Sequence, residues 1–135
     1  MPTIYPSRSC FDDAIDFIET RVRENPQIVH GTSLLLVHGI AIAPPDHDGS
    51  IVTGQPFAHA WVDEHDRADG DVAWASGILD GSRVYYAVRR REFYRYLRIR
   101  RFTRYTLREV WEHNQQWGTY GPWRDEYRAL CRGGR

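Results

Sequence analysis

Apolar and polar positions change period several times along this chain, and each change marks an element. Phe11, Ala14, Ile15, Ile18 and Val22 recur at helical spacing, which predicts an amphipathic helix from about Cys10 to Arg23. Ser9 followed by Asp12 resembles a capping box whose acid suits the helix dipole, and Asn25-Pro26 stops the helix. Leu34 to Ile42 is a nearly continuous apolar run that reads as a buried strand, with Gly39 a bulge or a close backbone approach. Ala43 to Pro56 is a long loop rich in Pro, Gly and Asp. Phe57 to Glu64 alternates as a second strand, a polar turn runs through Asp71, and Val72 to Leu79 makes a third.

The C-terminal part is less regular. Arg83 to Val88 extends the sheet, Arg90 to Leu97 reads as a short helix, and Arg100 to Tyr105 as another strand. Thr106-Leu107-Arg108-Glu109 is a capping box that opens a helix carrying Val110, Trp111 and Trp117, and Gly121-Pro122 ends that region. The fold expected is α+β: an N-terminal helix on an antiparallel sheet, with further helices near the C-terminus. Residues 1–135 read as a single domain with frayed ends at 1–8 and 131–135.

Composition adds constraints. No apolar run approaches the roughly 18–20 residues that cross a bilayer, which argues against a membrane partner. Two cysteines, Cys10 and Cys131, are too few for a disulfide framework, so a cytoplasmic location is the expectation. The net charge of zero conceals an asymmetry: residues 1–82 carry four Arg against thirteen acidic residues, and residues 83–135 carry fourteen Arg against five.

Three residues suggest chemistry together. Cys10 falls at the first position of a helix, where unsatisfied N–H groups and the dipole favour a thiolate and can stabilise an oxyanion. His59 shares a strand face with Phe57 and Trp61. With a hairpin turn near Arg67 to Asp69, His59 lies opposite Ile78, two residues from Asp80, which can then accept a hydrogen bond from the imidazole. Asp63, four residues along the same strand, is roughly 13 Å from His59 at about 3.3 Å per residue and too far to compete. Asp80-Gly81 also fits a plain turn, and His59 a half-buried aromatic neighbour.

Ser9-Cys10 with Asp13-Ala14, Val37-His38-Gly39, His59-Ala60-Trp61-Val62, Ile78-Leu79-Asp80, the paired Tyr85-Tyr86 and Gly121-Pro122-Trp123 together resemble the transglutaminase-like branch of the papain-like superfamily, in particular its bacterial and phage members. The resemblance implies a papain-like core and a cysteine-dependent acyl transfer on a protein or peptide amide or isopeptide. Cys10 would be the nucleophile, His59 the base and Asp80 the orienting acid. Trp61 and Trp123 would line the substrate site, and no cofactor would be needed.

Other features compete. His47, His59 and His65 with Asp46, Asp48, Asp63 and Asp66 lack a metal-ligand spacing. Residues 83–108 hold ten Arg and one Glu interleaved with seven aromatic residues. That composition suits nucleic acid, through phosphate contacts and base stacking, or an acidic protein partner. Pairing of these arginines with the acidic half is the favoured alternative. A catalytically inactive scaffold that binds through this surface is thus the second functional expectation.

Overall fold

A computed structural model of the chain describes residues 5–6, 10–44 and 54–133. Helix α1 (Cys10–Glu24) forms where the apolar spacing requires it, with Asp12 and Asp13 in its first turn and Arg21 and Arg23 in its last, each suited to the helix dipole. A 3₁₀ turn, Pro26–His30, follows. Strands β2 (Leu34–Ile42), β3 (Pro56–Glu64), β4 (Val72–Leu79) and β5 (Ser82–Arg89) then run as an antiparallel meander. After the short helix α2 (Arg90–Tyr96), β6 (Arg101–Tyr105) returns to the free side of β2. Helices α3 (Leu107–Trp117) and α4 (Asp125–Gly133) complete the chain. The short strand β1 (Tyr5–Pro6) pairs with the end of β4.

Central strand β2 lies between β3 and β6, and helices cover both faces of the sheet around it. This explains its continuous apolar run, since Leu34, Leu36, Val37 and Ala41 are buried from both faces and only Leu35, Ile40 and Ile42 are partly exposed. The ladder passes through Gly39 unbroken, so this glycine marks close packing: a Cβ there would lie 2.7 Å from Trp61 Cη2 and 2.8 Å from the Arg101 carbonyl oxygen. The reciprocal capping box at Thr106 and Glu109 is formed. Helix α3 stops three residues earlier than Gly121-Pro122 would impose, at Gly118, whose φ of 70° provides the left-handed cap. Helix α4 continues to Gly133. Tyr127 anchors it: the ring is buried and its hydroxyl lies 3.0 Å from Thr103 Oγ1 on β6.

Two hydrophobic cores result, one on each face of the sheet. The α1 face joins Ile15 and Ile18 to Leu34, Leu36, Ala60, Val62, Tyr105, Val110 and Trp123. The α2 face joins Val37, Ala41, Phe57, Trp61, Ala73 and Ala75 to Phe93 and Leu97. Strand periodicity sorts neighbours strictly between the two. Ala60 and Val62 of β3 face α1; Phe57 and Trp61 face α2.

Candidate functional site

That alternation decides the fate of the predicted triad. Cys10 opens α1 and belongs to the α1-side core with Ala60. His59 is one residue from Ala60 and therefore points to the other face. Its ring lies 5.4 Å from Phe57, 5.8 Å from Trp61 and 6.2 Å from Phe93, all residues of the α2-side core. The sheet itself stands between the thiol and this imidazole. Cys10 and His59 are not brought together.

Asp80 is separated as well. The β3–β4 register places Val62 opposite Trp74 and Glu64 opposite Val72, one residue from the expected hairpin. The pairing covers only residues 62–64 and 72–74. β5 fills one edge of β4 along its length, so β1, paired at Gly77 and Ile78, occupies the edge that β3 has left. Asp80 lies beyond, exposed, at φ 51° beside Gly81 at φ 78°, between the paired residues Leu79 and Ser82. These are the two central positions of a two-residue hairpin of the primed type, for which Asp-Gly is a preferred sequence. The expected hydrogen bond from His59 to Asp80 is accordingly absent; both ring nitrogens of His59 lack a partner among the described residues.

Asp63 is on the α2 face with Trp61, fully buried. It accepts from Trp61 Nε1 at 3.0 Å, from the Tyr94 hydroxyl at 2.7 Å and from Arg104 Nε at 3.3 Å. Trp61 is thereby a fixed core residue. Trp123, on the α1 face, donates to the Thr119 carbonyl at 2.9 Å and stacks on His113 at 4.7 Å. The two tryptophans expected to line one substrate site are thus buried on opposite faces of the sheet.

The histidine that shares Cys10's face is His38. It pairs with Ala60 across β2 and β3, and its ring contacts Phe11, the residue after Cys10, at 4.8 Å. Tyr105 at 5.1 Å and Trp123 at 5.0 Å enclose it further, and Gly121, at φ 110°, brings its backbone so close that a Cβ would lie 2.5 Å from His38 Cε1. Neither ring nitrogen has a hydrogen-bond partner among the described residues. Burial, assisted by the nearby His113, lowers the His38 pKa to about 3. Burial lowers that of His59 to about 4. Burial raises the Cys10 thiol to about 12, against the weaker opposing effect of the Ala60 backbone. In this arrangement all three groups are neutral near pH 7. Cys10 is only 4% exposed. Cys131 is a half-buried cysteine on α4.

The residues raised as metal ligands do not converge. Asp46, His47 and Asp48 lie outside the described residues, His59 faces the α2 core, and His65 Nδ1 is 3.1 Å from Asp71. Among the described residues no group of three ligand-type side chains is placed to hold a metal ion.

The arginine-rich segment takes a more open form. Internal pairing absorbs part of it: Arg83 meets Asp13 and Asp16, Arg90 meets Asp71, and Arg104 meets Asp63. Arg91, Arg95, Arg98 and Arg100 are exposed and have no ion pair among the described residues. On the α2 face, Arg89, Arg90, Arg91 and Arg104 surround an open pocket of about 530 Å³ with Tyr94, Phe102 and a single acid, Asp71. Arg104 lies over the Phe102 ring at 4.6 Å, and Phe102 and Tyr96 are 37% and 55% exposed. At the start of β6, Arg98, Arg100 and Arg101 line a second pocket of about 380 Å³.

Compared with protein-family models, curated proteins and solved structures, the chain matches none of them. No helix among the described residues is long and apolar enough to cross a membrane.

Proposed function

We propose that the protein is a binding module for single-stranded nucleic acid, which lies along edge strand β6 and the adjoining end of α2. The observation that carries this reading is the open pocket where four guanidinium groups surround Tyr94 and Phe102. Asp71 and Asp63 offset two of those charges, Arg89 donates to the neutral Asp69 carbonyl, and Arg91 has no ion pair among the described residues, leaving a local positive excess. Guanidinium groups beside exposed aromatic rings hold phosphates while the rings stack on bases, a mode that tolerates any base sequence. The second arginine cluster precedes and opens β6, with Arg101 opposite Ile40 on the α1 face, so the nucleic-acid strand passes around this edge of the sheet from one cluster to the other.

Fluorescence anisotropy with a labelled single strand of about a dozen nucleotides tests the reading. Binding weakens with salt, and each Arg→Ala substitution at Arg91, Arg98 or Arg100 that removes a phosphate contact lowers the logarithmic salt slope by about 0.7. Phe102→Ala weakens binding about tenfold, the low end of a lost base stack. Binding that is indifferent to Phe102→Ala and displaced equally well by polyglutamate would instead identify an acidic protein as the partner.

A second reading, cysteine-dependent acyl transfer on an amide or isopeptide in a papain-like scaffold, is supported by one observation. Cys10 at the start of α1 and the unpartnered His38 share one face, joined through Phe11 and Ala60. On this reading His38, rather than His59, is the base, and the Gly118–Trp123 segment must withdraw to admit substrate. Iodoacetamide labelling of Cys10 in the native protein that is lost in His38→Ala and retained in His59→Ala supports it. Labelling that appears only with unfolding removes it.

A further inference from the structure

Away from both sites, the outer side of the α1 core is concave. Ile18 and Val22 of α1, Val29 of the 3₁₀ turn, and Val110 and Trp111 of α3 enclose a groove of about 570 Å³. Trp111 is 61% exposed there, an unusual position for the largest apolar side chain. A volume of this order falls within the range of roughly 300–1,000 Å³ typical of small-molecule sites, and an apolar floor with few polar groups is their usual lining.

The rim is charged unevenly. Arg23 and Arg108 stand on α1 and α3, Glu19 is the one carboxylate that lines the groove, and His30 closes one end. Arg23 donates to Thr20 Oγ1 at 3.4 Å. Neither Arg23 nor Arg108 has a carboxylate partner among the described residues, although Glu19 is four residues from Arg23 on the same helix. The rim therefore carries an uncompensated positive charge above an apolar floor.

We infer that this groove binds an amphiphile with a linear hydrocarbon chain and an anionic head, the chain lying between α1 and α3 and the head between Arg23 and Arg108. The chain removes apolar surface from water, and the head meets two guanidinium groups that have no carboxylate partner among the described residues. The inference is independent of the nucleic-acid reading, since no residue is shared between the two sites.

Isothermal titration with laurate below its micellar concentration tests the inference, with dodecyltrimethylammonium as the chain-matched cation. Laurate binds one-to-one and the cation at least tenfold more weakly. Val22→Asp, which places a charge on the groove floor, weakens laurate at least tenfold. The double variant Arg23→Glu/Arg108→Glu reverses the preference toward the cation. Should Val22→Asp unfold the protein, Trp111→Asp at the exposed wall gives the same comparison. Absence of laurate binding, equal binding of the two amphiphiles, or unchanged affinity in a folded groove variant overturns the inference.

Discussion

The two faces of the sheet each bury one histidine with no hydrogen-bond partner among the described residues, and they differ in nearly everything else. On the α1 face His38 is enclosed by Phe11, Tyr105, Trp123 and the backbone at Gly121. On the α2 face His59 sits near Phe57, Trp61 and Phe93, and four residues farther along β3 a buried carboxylate, Asp63, ties that strand to α2 and β6. One face is thus closed by ring packing and the other by a charge network. The lesson is that one position along a strand changes every neighbour a side chain has. A histidine and a cysteine that look complementary in sequence become strangers when the sheet intervenes.

The largest test of this contrast is removal of the α2-side network. Asp63→Ala leaves Trp61 Nε1, the Tyr94 hydroxyl and Arg104 without their acceptor, and the expected loss of stability is about 3 kcal/mol by urea unfolding. A loss below about 1 kcal/mol would mean that ring packing alone holds this face too.

A smaller and sharper test uses pH. Both imidazoles have folded pKa values below the ordinary 6.5, so the unfolded chain takes up protons first as pH falls. Stability is fully present above about 6.5 and is lost downward toward pH 4, where His59 begins to titrate in the folded protein, with His38 following near 3. Each histidine contributes up to about 1.4 kcal/mol per pH unit within its window. His38→Phe and His59→Phe should each flatten the dependence of the urea midpoint on pH by one proton's share. An unchanged slope in either variant would show that its imidazole is not buried in neutral form.

The smallest effect is expected at Asp80. Because its backbone is that of a primed hairpin turn, Asp80→Asn should alter stability by less than about 0.5 kcal/mol, while Asp80→Ala costs about 1 kcal/mol through its positive φ. The alkylation rate of Cys10 should be the same in Asp80→Asn as in the parent. A change in that rate would reconnect Asp80 to the thiol.

The strands were legible from sequence because their signals are local. β2 and β4 have the bounds their apolar runs indicate, and the Thr106 capping box is present atom for atom. The alternation Phe57, His59, Trp61 against Ala58, Ala60, Val62 was also readable. What no strand pattern states is which of its two faces a distant helix will cover, and that choice is what set Cys10 beside Ala60. The position of β1 is equally nonlocal: it pairs with residues some seventy positions away, where a simple hairpin would have continued. Helix α4 is hard to read in sequence because its stripe, Tyr127, Leu130 and Cys131, spans little more than one turn among charged residues and ends at a glycine. The Arg-aromatic segment was visible as composition. Its division into paired and unpaired guanidinium groups required the fold.

Among the described residues strand β6 ends the sheet, with β2 on one side and no strand on the other. An edge of this kind invites another sheet to add to it, and positive side chains along it are a known deterrent. Arg101, paired with Glu126, and Arg104, paired with Asp63, stand along it as a fence between copies of the chain. Removing the charge of Arg101, as in Arg101→Ser, lowers that fence and leaves the edge freer to self-associate.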